Sequence, residues 1–432
     1  MNIYQFKITS AQFGLPRILF VALVIVGLAA GPIFAWGESN PRAMAMGGAY
    51  TALGFGHEAA GYNPANLGLS KTNSFSLDIF SVGVSLKNNS FSLADYNKYT
   101  GAFLSDDDKD AIIDKIPSEG LKLNLLTEAA GLNFAVGRLA FNFRGLGASK
   151  INLDRDPFEL LLYGNAVKSE VTLSDTRGEA WAIADGALSY GHRLMQWAGG
   201  ELAVGGSFHY LYGIAHEKIT YAKGNVSTTT DGFVGDGQMI VRSSLGGSGM
   251  AFDLGVAMVF AEKWVFSASW QNMYSRINWN RDNEEMLFTF HMDPINYDNL
   301  ADEEISDSLV TSTDTTYDVA GFTSTLPSVI KLGISRSYKK LTWALDWEQG
   351  VSSGASQAVT PRIAAGLEYR LVGFFPVRIG TAFGGDRGTI YSTGFGFKFG
   401  PFRLDTAIAN NGALNPGSTR GASFALAMGL RF

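Results

Sequence analysis

The chain has 432 residues, of which 17% are charged and 12% aromatic, with 51 glycines against 12 prolines and a formal net charge of −6. Charge this sparse is not that of an ordinary soluble domain, where roughly a quarter of residues are charged; beside so many aromatics and glycines it suits one large sheet with two differently solvated faces. The absence of cysteine removes disulfides, thiolate metal sites and cysteine nucleophiles, and the acidic balance argues against nucleic acid as a partner.

Residues 1–35 carry Lys7 and Arg17 and no acid, then an apolar run from Ile18 to Ala30, then small residues up to Ala35. This is the layout of a cleavable export signal. The alternative is a membrane anchor, but the run is short of the roughly 18–20 residues a spanning helix needs. No later stretch has 18 apolar residues in a row, so a helical membrane bundle is excluded. An exported soluble protein or an outer-membrane barrel remains.

Asn40 to Leu69 follows. Gly47, Gly48, Gly54, Gly56, Gly61, Pro64 and Gly68 interrupt it too often for a strand. Met44, Ala45, Met46, Ala49, Ala52 and Leu53 give it a short apolar face at helical spacing, and Tyr62 to Ala65 reads as a turn. An element this apolar needs burial, and inside a barrel the nearest volume is the lumen.

From residue 74 onward the period is two. Phe424, Leu426, Met428, Leu430 and Phe432 share one face of the last strand, and Ala425, Ala427, Gly429 and Arg431 the other. The same alternation opposes Phe252, Leu254, Val256, Met258 and Phe260 to Asp253, and Trp343, Leu345 and Trp347 to Asp346 and Glu348. Many runs last long enough to cross a bilayer at a tilt, roughly 9–11 residues, whereas strands of soluble sheets are most often about 5–6. Only a closed barrel satisfies every backbone group in lipid. Candidate strands fall near 74–86, 121–135, 138–150, 178–192, 199–221, 237–245, 249–261, 263–279, 325–337, 340–350, 360–371, 374–384, 389–399, 401–410 and 421–432. Bacterial single-chain barrels have even counts; the weakest run, 237–245, reads as an extension of a neighbouring hairpin, leaving 14. In the first strand the apolar parity changes between Ile79 and Phe80, which predicts a bulge. Trp264, Trp270, Trp343, Trp347, Tyr369, Phe375, Phe399 and Phe432 sit toward run ends, as interfacial girdles do.

The expected fold is therefore all-β: a transmembrane antiparallel β-barrel of about 14 strands over 71–432, with the signal peptide at 1–35 and an N-terminal hatch at 36–70 in the lumen. Its location would be the outer membrane of a Gram-negative-type bacterium, its partners lipid and lipopolysaccharide, and the assembly machinery would read the C-terminal strand ending at Phe432.

Short turns alternate with long insertions. Ser105 to Ile116 reads as a helix capped by Ser105 with acids in its first turn, and Pro157 to Tyr163 as another. The insertion at 281–318 holds eleven acids against Arg281 alone. Without calcium-loop spacing it reads as a solvated loop rather than a cation site. Phe288, Phe290 and Met292 alternate within it and are candidate contacts for a hydrophobic ligand.

Motifs of catalysis are missing. The five histidines, His57, His192, His209, His216 and His291, form no metal-ligand spacing, and there is no nucleophile elbow. A barrel hydrolase could use His192, His209 or His216 with Asp185 or Glu217, but ordinary strand and rim positions suffice to explain them. His209 and His216, seven apart, fall on opposite faces of one regular strand. No enzyme activity, cofactor or metal is expected. The inward charges carry both signs: Arg144, Asp253, Asp346, Glu348, Glu368, Arg370, Arg378, Lys398, Asp405 and Arg431. Mixed signs suit cross-strand pairing in a filled lumen better than an ion-selective pore.

The segment AMAMGGAYTAL, a spacer, then YNPANLGL, placed between an export signal and a barrel, resembles the outer-membrane FadL-like superfamily of long-chain fatty-acid and aromatic-hydrocarbon transporters, including PorV-type barrels of secretion systems. The match covers Gly47, Gly48, Ala49, Asn63, Pro64 and Ala65. Where relatives often carry paired aspartates before Asn-Pro-Ala, this spacer has Glu58 as its only acid. The resemblance implies a 14-stranded barrel plugged by a hatch and passage of fatty-acid-like or aromatic molecules. A PorV-type partner of a secretion or surface-attachment system and a general diffusion porin are the alternatives.

Overall fold

A computed structural model describes residues 39–71, 74–164, 170–174, 176–296, 309–352, 359–385 and 388–432; the predicted export signal lies outside them. The wall has fourteen strands: β1 (Phe75–Asn88), β2 (Leu121–Val136), β3 (Leu139–Leu153), β4 (Arg177–Trp197), β5 (Gly200–Thr229), β6 (Gly247–Phe260), β7 (Trp264–Trp279), β8 (Val329–Tyr338), β9 (Leu341–Gly350), β10 (Arg362–Val372), β11 (Phe375–Gly384), β12 (Ile390–Phe399), β13 (Phe402–Asn411) and β14 (Gly421–Arg431). Each pairs antiparallel with the next. β14 closes on β1 from Ser76↔Arg431 to Lys87↔Gly421, so the wall has no edge. The weak run near 237–245 is Gly232–Ser244, which stands outside the wall, so the expected fourteen holds.

The alternation has the expected consequence. On the outer face Leu332, Leu345, Ile363, Leu367, Ile379, Phe383, Phe395, Ile408 and Phe424 are each 43% to 58% exposed. Their inward neighbours Ala344, Ala364, Ala382, Ala407 and Ala425 are buried. An apolar surface this continuous is tolerated only in lipid. At the short-turn end aromatics gather: Trp264 meets Trp343 edge-on at 5.5 Å, Phe374 stacks on Phe399 at 5.7 Å, and Phe75 meets Phe432 at 5.9 Å.

Irregularities in several strands shape the wall. The predicted break in β1 is a bulge at Asp78/Phe80, facing a second one in β2 between Ala130 and Phe134. In β5, Ile183 pairs with Gly213 and Ala182 with Ala215, so Ile214 is an extra residue. In β7 the register slips opposite Asp253. β7 pairs with β8 only through Gln271, and Ile277–Trp279 pair instead with Phe322–Ser324. The gap is bridged by side chains: Asn272 Nδ2 donates to the Pro327 carbonyl at 2.9 Å, and Ser275 Oγ donates to Leu326 O at 3.1 Å.

At 30 residues β5 is far longer than the wall. Its first half pairs with β6, and its second half pairs with Gly232–Ser244. That strand pairs with Glu284–Ile295, which pairs with Val310–Asp318. The long-loop end thus carries a projecting sheet. The predicted loop helices are Asp106–Ile113, closed by a Ser105–Asp108 capping box, and Asp156–Tyr163.

Residues 39–69 fill the lumen. Asn40 caps the helix Pro41–Ala45, whose N–H at Ala43 it receives at 3.0 Å. Gly47 and Gly48, at φ 69° and 89°, end it, a conformation that glycine adopts without a Cβ clash. The wall receives this segment through glycines. A Cβ on Gly366 would lie 2.5 Å from the Met46 carbonyl oxygen. Cβ atoms on Gly380, Gly205 and Gly255 would fall inside the contact distance of Gly47, Pro64 and Asn63.

A Gly380→Ala substitution should therefore force the plug off the wall, at a cost of about 1–3 kcal/mol as overpacking does. The midpoint of chemical unfolding in lipid vesicles measures it. Gly373→Ala, where a Cβ meets nothing within 4 Å, is the control and should leave the midpoint unchanged.

Candidate functional site

Two amides hold the Asn-Pro-Ala-Asn turn. Asn63 Nδ2 donates to the carbonyls of Val256 and Ala268, on β6 and β7, at 2.9 and 3.2 Å. Its Oδ1 accepts from Ala65 N at 3.0 Å, capping the short 3-10 helix Pro64–Gly68. Asn66 Nδ2 donates to Thr51 O and Gly54 O, and its Oδ1 accepts from Ser267 Oγ. Both side chains are fully buried; an apolar residue would strand wall carbonyls at position 63 and plug carbonyls at position 66.

The predicted inward charges fall into groups. Four of them join the plug in one chain. Asp405 accepts from Arg378 at 2.6 Å, Arg378 donates to Glu368 at 2.7 Å, and Arg42 of the plug donates to the same Glu368 at 2.7 Å. Arg42 also donates to Tyr50 Oη, Tyr50 donates to Glu58 at 2.8 Å, and Glu58 pairs with Arg431. Asp346 accepts the backbone N–H of Tyr50 and of Thr51 at 2.9 and 2.8 Å. Glu348 lies 3.5 Å from Lys331 and 3.7 Å from Arg362, its cross-strand neighbours, and Arg362 donates to Gly47 O. Arg370 and Lys398 stay at the short-turn end, Arg370 reaching the Lys339 carbonyl and Lys398 lying opposite Arg403. Of the hatch-motif residues, Ala49 packs in the core beside Met46 and Tyr50, and Glu58 takes up Tyr50, Arg431 and, at 3.4 Å, Asn40.

The remaining pair, Arg144 and Asp253, belongs to a layer above the plug. Arg144 pairs with Asp185 at 2.7 Å, and His209 sits between Asp185 and Asp253, at 3.0 and 3.2 Å from its two ring nitrogens. Both nitrogens are occupied by carboxylates, so His209 has none left to activate a serine.

Beyond this layer Leu146, Ile183, Leu211 and Ala251 form an aliphatic layer, and beyond that a cavity opens toward the long loops. It is lined by Trp181, Trp279, Phe322, Ile277, Leu326 and His216, with Glu179, Lys218 and Arg242 around them. Ile277 lies past Gln271 on the same strand, and Gln271 donates to the plug at Gly61 O, so the cavity stands on the long-loop side of the plug. His216 is a correction to the sequence reading. The extra residue Ile214 reverses the parity, so His209 and His216 both point inward and both are buried. Trp279 lies flat across Gly213, where a Cβ would be 2.5 Å from its ring. The predicted ligand contacts Phe288, Phe290 and Met292 lie on Glu284–Ile295 of the projecting sheet and do not line this cavity. Of the acidic insertion, Asp298, Asp302, Glu303, Glu304 and Asp307 lie outside the described residues.

A closed fourteen-stranded barrel with its N-terminal segment folded into the lumen is the FadL-like fold. The chain belongs to the family of unknown function DUF5723, whose model matches residues 64–244 and 231–407. Its structure is similar to that of the toluene transporter TbuX of Ralstonia pickettii, at 15% identity and a TM-score of 0.51, over 92% of this chain and 100% of that one. It is likewise similar to the toluene transporter TodX of P. putida (11%, TM-score 0.52, 93% and 99%) and to the monoaromatic hydrocarbon channel CymD (11%, 0.51, 92% and 99%). No curated protein matches by sequence.

Two plug residues are sensitive to acid. Burial holds the His57 imidazole down at about 4. Burial alone would raise Glu58, but Arg431, His57 and Arg42 outweigh it and hold the carboxyl at about 2. Both groups bind fewer protons docked than free, so docking weakens as pH falls: first from about 6.5 to 4 through His57, then from about 4.5 to 2 through Glu58. Dye leakage from vesicles carrying the barrel should rise below pH 6.5, and His57→Gln should remove that first phase. A flat profile from pH 7 to 4 would show that plug docking does not depend on His57.

Proposed function

We propose that the protein is an outer-membrane barrel that admits small hydrophobic molecules, aromatic ones above all, with residues 39–69 acting as a hatch. The observation that carries this reading is the aromatic cavity at the long-loop end of a lumen sealed below by charge. Barrels of this kind keep short turns in the periplasm and long loops outside, so the cavity opens to the exterior. An apolar solute crosses a lipopolysaccharide leaflet poorly. A pocket of Trp181, Trp279 and Phe322 offers it a site with aromatic faces. The similarity in fold to barrels described as toluene transporters agrees with this. Below the cavity the solute meets the Arg144–Asp185–His209–Asp253 layer and then the plug. Passage therefore requires these polar groups to move, which is the work of a hatch. Lipid and lipopolysaccharide would surround the wall, and β14 with Phe432 would be the strand that assembly machinery engages.

Cells with intact lipopolysaccharide that carry the barrel should take up labelled toluene severalfold faster than cells lacking it, at limiting concentration. Equal rates would sink the proposal. In planar bilayers the intact protein should show no steady open channels, and deletion of residues 39–69 should produce them; steady channels in the intact protein would favour a diffusion porin instead.

A further inference from the structure

The projecting sheet ends in an uncovered edge. Its last strand, Val310–Asp318, pairs along one side with Glu284–Ile295, from Glu284↔Asp318 to Met292↔Val310 without a register shift. Among the described residues no strand pairs with its other side. Val319 N donates to the Asn283 carbonyl at 2.9 Å, and this bond fixes which backbone groups are left over. Their direction alternates along a strand. Thr311, Thr313, Thr315 and Tyr317 therefore turn N–H and C=O toward the sheet, and Ser312, Asp314, Thr316 and Asp318 turn theirs outward. At nine residues the strand is longer than most, and it is exposed from Thr311 to Asp318. It carries none of the usual guards of an edge: no lysine, no proline and no bulge. Its threonines favour the extended state before anything binds.

The geometry points to this edge as a docking site for an extended basic segment of another protein, which joins the sheet as one more strand. Charge selects the partner. Neither Glu284–Ile295 nor Val310–Asp318 contains Lys or Arg, and together they carry Glu284, Glu285, Asp293, Asp314 and Asp318. Glu285 is met by Arg242 from the strand behind. Asp314 and Asp318 lie on one face of the edge strand, with Glu284 beside Asp318. Lys or Arg side chains at the two facing positions of an incoming strand meet them there. A second copy of this chain is disfavoured, because its edge would bring the same aspartates against these. The site is independent of solute passage: none of the edge residues lines the aromatic cavity.

The probe is a fluorescent peptide of about ten residues that alternates Lys with Val, long enough to span the edge. It is titrated with the purified full-length barrel and read by anisotropy. It should bind, less tightly as salt rises. A peptide alternating Lys with Pro has the same charge but cannot join a ladder, and one alternating Glu with Val has the wrong sign; neither should bind. Thr316→Pro removes one outward N–H and leaves the pairing with Glu284–Ile295 intact. It should weaken the Lys-Val peptide about tenfold, the value of one net hydrogen bond. Thr316→Ala keeps that N–H and should bind as the wild type does, within about twofold. Asp314→Asn with Asp318→Asn should weaken binding severalfold and flatten its salt dependence. Failure of the wild type to bind the Lys-Val peptide would overturn the inference. Equal binding of the Lys-Pro peptide, or unchanged affinity in Thr316→Pro, would overturn it by reducing the contact to charge alone. Self-association of the barrel that Thr316→Pro abolishes would overturn it by assigning the edge to a second copy.

Discussion

Main chain pressed against main chain is the constraint on which this barrel depends. The plug does not hang in the lumen on long side chains. Its backbone at Met46, Gly47 and Pro64 lies directly on wall positions 366, 380 and 205, each of them glycine. Such an approach excludes water between the two surfaces and leaves every polar group along it to be satisfied locally. Asn63 and Asn66 do this with amides, Asp346 with a carboxylate that takes two N–H groups, and Ser392 with a hydroxyl that accepts from Gly47 N and donates to Ala45 O. The charged chain from Asp405 to Arg431 then ties the plug to both sides of the seam region, since Ser76 on β1 also receives His57 N.

Seen along its axis, the lumen is layered. The plug with its ion pairs comes first, then a charged layer around His209, then aliphatic side chains, then an aromatic cavity that opens among the long loops. Polarity therefore changes sharply over a few residues of each strand. On the proposed function, this layering separates the step of capture from the step of passage. Opposite signs face one another directly across strands, as Arg144 faces Asp185 and Glu368 faces Arg378.

Much of this was legible in the sequence, for a physical reason. A strand in lipid must alternate, so the wall and the bulge at Ile79 follow from parity, and the even count of such barrels brings fifteen alternating runs to fourteen strands. The plug was legible because glycines and Asn-Pro-Ala break both common periods. What stayed hidden depends on register between distant strands. The pairing of Arg42 with Glu368, 326 residues apart, has no local signature. Parity itself misled at His216, because a single extra residue at Ile214 leaves no mark in composition. Phe288 and Phe290 alternate on the projecting sheet, away from the aromatic cavity, a placement that alternation alone does not reveal. The many glycines were evident as a count; that several of them mark the footprint of the plug was not.

The bulge at Ile214 reaches well past His216. From His216 to Thr229 β5 pairs with Gly232–Ser244 and, through it, with the rest of the projecting sheet, with a second extra residue at Thr220. Removing Ile214 would turn over the run from Ala215 to Ile219, so that His216 would face outward and its neighbours inward, while the strand below it kept its register. The chain thus aims its outer half with two backbone insertions in turn, and which side chains line the vestibule can change without any change to the barrel beneath.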